Sequence, residues 1–128
     1  MKKQKYLNAK GKGEYTYDYR NDILLFKTKN RDYLKSIDFD NIALDIDKEG
    51  FITGARVFDA SKIFNLSKLA LKNIKKFEFH SKAENRIITI QLRFTAMLRN
   101  KPVIKHGQDF IREAIHSKIK DSEVTCTV

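Results

Sequence analysis

The sequence predicts an α+β domain: a mostly antiparallel, hairpin-rich sheet of about six strands, with one or two helices packed on one face. Three observations predict it. Apolar and polar residues alternate, the period of a half-buried strand, around Tyr15, Tyr17 and Tyr19, around Ile42, Leu44 and Ile46, and from Ile88 to Leu98. Turn residues separate these runs at Arg20-Asn21-Asp22, Asp47-Lys48-Glu49-Gly50 and Ala83-Glu84-Asn85. Helical spacing is confined to two short segments, near 67–75 and 109–120.

The elements follow in order. Residues 1–12 are polar and lysine-rich and predict a disordered basic arm. Residues 13–128 then form a single domain, a length that supports one core without a metal or disulfide staple. Glu14 to Phe26 reads as a hairpin, and residues 29–39 read as a loop. Asn41–Ile46 and Phe51–Phe58 read as a second hairpin. Ser67 suits a helix N-cap, with Leu71 and Ile74 facing the core one turn apart. Phe77 and Phe79 alternate with Lys76, Glu78, His80 and Lys82. Ile88, Ile90, Leu92, Phe94, Ala96 and Leu98 form an unbroken apolar face. At about 3.3 Å per residue that strand runs roughly 40 Å, longer than most. Phe110, Ile111, Ala114, Ile115 and Ile119 recur at helical spacing after Asp109, a candidate N-cap, although residues 103–119 leave helix and strand both open. Glu123–Val128 reads as a short closing strand.

Asp45-Ile-Asp47-Lys-Glu49-Gly50-Phe-Ile52 looks like the front half of a calcium loop. Position 12 of that loop calls for a bidentate Glu. Here it is Arg56, whose charge repels a cation. Strand-like alternation on both sides replaces the two flanking helices. A hairpin turn explains the stretch better, with Gly50 left-handed and Asp47 accepting backbone N–H groups.

Tyr17-Asp18…Asp22-Ile23-Leu24, followed by Leu44-Asp45-Ile46-Asp47-Lys-Glu-Gly50-Phe-Ile-Thr-Gly54-Ala-Arg-Val57-Phe-Asp-Ala60-Ser61, resembles a small bacterial and archaeal family of uncharacterised domains. That family reads Tyr-Asp, a short turn, Asp-x-Leu-Tyr, then an Asp-x-Asp-x-x-Gly hairpin leading to Gly-x-Glu-Ile-Leu-x-Ala-Ser. The resemblance covers about residues 13–61. It implies a compact antiparallel sheet and carries no activity with it. Around Ala55-Arg56 the chain departs from the family's usual Glu, and residues 62–128 are longer than in typical members.

The remaining chemistry is sparse. His80, His106 and His116 lack the close spacing of a metal motif, so no metal is expected. Cys126 reads as a buried small residue rather than a nucleophile, and alone it forms no intramolecular disulfide. Carboxylates at Asp38, Asp40, Asp45 and Asp47 are equally well explained as a solvated hairpin face. No phosphate loop or nucleophile elbow is present. The expectation is a non-enzymatic protein without a cofactor or small-molecule substrate. No basic-then-apolar leader and no run of about 18 apolar residues occurs, so a cytoplasmic, membrane-free location is expected.

Charge is the strongest functional signal. The chain carries net +10 at neutral pH. Residues 1–12 hold five lysines and no acid, residues 13–60 seven basic and ten acidic groups, and residues 61–128 fourteen and six. Such a field attracts polyanions. The predicted nucleic-acid contacts are Lys2, Lys3, Lys5, Lys10 and Lys12 in the arm, then Lys72, Lys75, Lys76, Lys82, Arg86, Arg93, Arg99, Lys101 and Lys105. The lysine excess favours phosphate contacts over base reading. Tyr15, Tyr17 and Tyr19 have the chemistry to stack bases, but burial in the core is the favoured reading for three tyrosines opposite Glu14, Thr16 and Asp18. The long apolar strand face suggests a homodimer, and structured RNA or a ribonucleoprotein such as the ribosome is the expected partner. The alternative is a protein-interaction module whose charge is incidental; a small enzyme or metal-binding domain is a minor one.

Overall fold

Alternation produces strands, and the strands pair into two sheets. The structure, a computed structural model, describes residues 5–105, 109–114 and 119–128. In chain order come β1 (Lys5–Ala9), β2 (Gly13–Asp18), β3 (Ile23–Thr28), β4 (Tyr33–Phe39), β5 (Ile42–Asp47) and β6 (Ile52–Val57). The helices α1 (Ala60–Phe64) and α2 (Lys68–Leu71) follow. Then come β7 (Ile74–Glu84), β8 (Ile87–Leu98), β9 (Lys101–Lys105), β10 (Asp109–Glu113) and β11 (Ser122–Thr127). The first sheet runs β1-β11-β7-β8-β10, with β9 also on β8, and the second runs β2-β3-β6-β5-β4.

The inner faces of the two sheets make one core. Phe26 of β3 stacks on Phe77 of β7 at 4.5 Å between ring centroids, and Tyr15 meets Phe77 edge-on at 6.3 Å. The Ser81 hydroxyl donates to the Ile52 carbonyl across the same interface at 3.2 Å. The helices carry the chain from one sheet to the other, and Phe64 of α1 packs edge-on against Phe94 of β8.

The alternation of β8 is realised: Ile88, Ile90, Leu92, Phe94 and Ala96 are all buried in this core. These five residues are therefore covered within the chain. The strand's length is explained by its partners. β7 pairs along it, while its other edge is shared by β10 at Ile87–Gln91 and β9 at Phe94–Leu98.

Four expectations are corrected. Among the described residues there are eleven strands in two sheets, not about six. Residues 29–39 contain β4, an edge strand bonded only to β5 among the described residues, whose exposure blurs its alternation. The arm is not disordered from Lys5 onward: β1 pairs in parallel with β11, a partner too distant in sequence for local pattern to reveal. Residues 109–113 are β10 rather than the start of a helix. Phe110 is buried while Ile111 is 63% exposed, an alternation that helical spacing had masked. The helix near 67–75 is real but shorter, with Ser67 capping it by accepting from the Ala70 N–H at 3.1 Å.

Candidate nucleic-acid interface

The predicted cations fall into separate groups. Lys72, Lys75, Lys76, Arg99 and Lys101 gather at one end of the molecule, where the Met97 N–H bonds the Asn73 carbonyl and joins the end of α2 to the β8–β9 turn. Arg86 lies in the β7–β8 turn at the opposite end of the same hairpin, and Lys5 sits near it through the Lys5–Ser122 and Ser122–Ala83 pairings. Lys10 and Lys12 are exposed in the β1–β2 turn. Lys105 lies opposite Phe94 in β9. Lys2, Lys3, His106 and His116 lie outside the described residues.

The long hairpin's outer face is not a uniform cationic surface. Lys82 pairs with Glu84 at 3.3 Å, Arg93 stands opposite Glu78, and His80 Nε2 lies 2.8 Å from Glu123. These acids dilute the field there. Neither does the cleft of about 280 Å³ on the second sheet offer free charge: its Lys27 pairs with Glu14 and its Arg31 with Asp47.

The end around α2 differs. Tyr19, just past β2, is 51% exposed, whereas Tyr15 and Tyr17 pack against the core. The ammonium groups of Lys68 and Lys72, one helical turn apart, lie 5.5 and 5.0 Å from the Tyr19 ring centroid, a cation–π arrangement. The Tyr17 ring meets Tyr19 edge-on at 6.4 Å. Arg20 extends the same turn. Lys68 was expected to add to the basic field, Tyr19 is favoured by the sequence as core rather than as a stacking residue, and Arg20 was not among the predicted contacts. The signal that could have found them was the four-residue spacing of Lys68 and Lys72 together with a tyrosine at a hairpin turn.

The turn is held rigidly, and its acids are occupied. Asp18 accepts from the Asn21 backbone and side-chain amides at 3.1 and 2.8 Å. Asp22 is buried in the left-handed conformation. It accepts from the Tyr17 hydroxyl at 2.6 Å and from the Ser61 N–H and hydroxyl at 3.0 and 2.6 Å. Asp59 makes no side-chain cap for α1, so Asp22 serves that helix start from another element. Burial opposes the charge on Asp22, but the hydrogen bonds from Ser61 and Tyr17 and the field of Lys68 hold its carboxyl below its ordinary value. The Tyr17 hydroxyl is pushed up, by burial first and by the bond to Asp22 second.

The calcium-like stretch is a hairpin turn. Gly50 is left-handed at φ 89°, which a side chain would strain. The Asp47 carboxylate accepts from the Glu49 and Phe51 N–H groups at 3.0 and 2.9 Å and from Arg31 Nη2 at 2.6 Å. Arg56, at the position of the family's usual Glu, instead reaches Asp45 at 2.9 Å and Ser36 at 2.7 Å. Among the described residues no group of three His, Cys, Asp or Glu side chains could hold a metal, and no helix is long and apolar enough to cross a membrane.

The family of proteins of unknown function designated DUF2283 matches residues 14–61, which are β2 to β6 and the start of α1. A protein of Methanosarcina mazei named "Putative hypoxanthine phosphoribosyltransferase" is 39% identical over 92 residues, 72% of this chain and 75% of the relative. An uncharacterized protein of Methanocaldococcus jannaschii is 37% identical over 92 residues, 71% of this chain and 79% of that one. No solved structure matches. The motif residues of the resemblance, Tyr17, Asp22, Asp47 and Ser61, are those that clamp the hairpins and the helix start, and on these matches the chain belongs to the DUF2283 family.

Proposed function

We propose that this chain is a non-enzymatic basic binding protein for structured RNA or a ribonucleoprotein, the ribosome being the most concrete instance in the cytoplasm. One observation supports the reading most: Lys68 and Lys72 lie against the ring of an exposed tyrosine next to Arg20, the end of α2 is bonded to the β8–β9 turn that carries Arg99 and Lys101 beside the start of β7 with Lys75 and Lys76, and the carboxylates of the tyrosine's turn are bonded elsewhere. Such a cluster binds phosphates by releasing their counterions and leaves the base edges unread.

The test is fluorescence anisotropy with structured RNA across a series of salt concentrations. Replacing Lys72, Lys75, Lys76 and Arg99 by Gln should lower the log–log salt slope by roughly two to three units. Replacing Lys82 and Arg93, which stand among acids, should leave it nearly unchanged. Binding that vanishes near physiological salt in the parent protein would leave the charge incidental and favour a protein-interaction module.

The proposal retains a homodimer, now placed at the outer edge of β10. Ile111 of β10 and Ile87 of the adjoining β8 are 63% and 41% exposed, and β10 bonds only to β8 among the described residues. Sedimentation of the parent and of Ile111→Lys checks it, a monomeric parent ruling it out. The name of the Methanosarcina mazei relative suggests a competing reading. An aromatic ring beside lysines also suits a base and a phosphate, and conversion of hypoxanthine by the purified protein supplied with a phosphoribosyl diphosphate, with release of diphosphate, would favour that activity.

A further inference from the structure

We propose that Tyr19 is a stacking platform for an unpaired base, with Lys68 and Lys72 holding the adjoining phosphates, so that the RNA element taken at this end is a single-stranded loop or bulge rather than continuous duplex. This rests on the RNA-binding reading and names its ligand.

Three features carry it. Tyr19 escapes the core although its two strand neighbours do not. β2 ends at Asp18, and the ring projects from the turn with half its surface in solvent. The lysines approach from a single turn of α2 and the Tyr17 ring stands perpendicular to Tyr19 at 6.4 Å, so the ring is supported by its neighbours while half of its surface stays open. The platform is also pre-organised. The Asp18–Asn21 bonds fix one side of the turn, and Asp22 pins the other to Ser61. Little conformational entropy is then lost on binding.

Duplex RNA does not use such a ring, because its bases are already stacked on one another and only backbone and groove edges are accessible. An unpaired base offers its π-face, whatever its identity, and the two ammoniums match the phosphates beside it. Base stacking on an aromatic side chain contributes about 1–3 kcal/mol, or roughly 5- to 150-fold in affinity.

The experiment compares a stem carrying a large single-stranded loop with a blunt duplex of matched length. Tyr19→Leu should weaken loop binding roughly 5- to 150-fold while leaving duplex affinity and both salt slopes unchanged, and Tyr19→Phe should retain loop binding. Lys68→Gln with Lys72→Gln should instead lower the slope by about one to two units on both RNAs. The chain has no Trp. Tyr19→Trp therefore places a lone indole at the platform, whose fluorescence should be quenched by the loop RNA and not by the duplex. An unchanged loop-to-duplex ratio in Tyr19→Leu, with the lysine effect intact, would overturn the stacking platform and leave the binding reading standing. Absence of any salt-dependent RNA binding by the parent protein would overturn both.

Discussion

Asp22 joins three parts of the chain through one carboxylate: Tyr17 from its own hairpin, Ser61 from α1, and the turn that presents Tyr19. Removing it leaves half-buried hydroxyl and N–H donors without this partner, so Asp22→Ala should destabilise by about 1–3 kcal/mol, and Ser61→Ala by about 1–2 kcal/mol, read from urea unfolding. The pH dependence has a definite sign. The folded-state carboxyl lies below its ordinary value. Its stabilisation is therefore complete above the unfolded value, about 3.9, and is lost as pH falls through the lower folded value. Thermal melts in acid should show the parent losing stability faster than Asp22→Asn. A comparable argument holds for Arg31, whose removal as Arg31→Met leaves Asp47, 1% exposed, with an uncompensated charge. A loss of about 3–5 kcal/mol is expected by the same unfolding measurement. These residues were visible in the sequence as turn formers. Their long-range partners were not, because nothing near Asp22 in sequence indicates Ser61.

Elements were legible where one face is buried and the partner is near in sequence. β8 shows its alternation plainly because every second side chain enters the core. β4 does not, since an edge strand with exposed residues has no pattern to impose. β10 offered Phe110, Ile111 and Ala114 at spacings that fit either period, and only its pairing with β8 decides between them. β1 was hidden by lysines and by a parallel partner at the far end of the sequence. Its contribution can be measured through Cys126, which is buried opposite Ala9 and whose thiol is pushed up by burial. Deleting residues 1–9 should turn Cys126 from unreactive to readily alkylated by a thiol reagent. At the junction to β2, a Cβ on Gly13 would lie 2.7 Å from the Phe77 ring and 2.8 Å from the Thr127 carbonyl. Gly13→Ala should therefore destabilise by about 1–3 kcal/mol in the same unfolding assay, the range of an overpacked core.

At the scale of the whole molecule, net charge was read directly from composition, but its layout required the fold. A list of lysines and arginines along one hairpin suggested one face. The sandwich instead sends Arg86 and Arg99 to opposite ends of β8 and sets Glu78, Glu84 and Glu123 among the cations between them. The end around α2 became a site only when the β2–β3 turn, α2 and the β8–β9 turn were brought together. The core that positions these parts depends on large aromatic contacts between the sheets. Phe26 is fully buried and stacked on Phe77, and Phe26→Ala should lower stability by about 3–5 kcal/mol, enough to threaten folding of a small domain.

The placement of β11 between β1 and β7 has a kinetic consequence. β2–β3 and β4–β5–β6 are hairpins that close over short loops, and β3 then meets β6 across roughly thirty residues. β11 must instead enter a slot whose two walls lie on the order of a hundred residues and forty residues away along the chain, and such closures are entropically slow. Until it arrives, the edge of β7 is unsatisfied and β1 lacks its sheet partner, each able to recruit the wrong chain. Pulse-labelled hydrogen exchange should show amides of β3, β5 and β6 protected before those of β1 and β11. Refolding yield should fall with protein concentration most steeply within that interval.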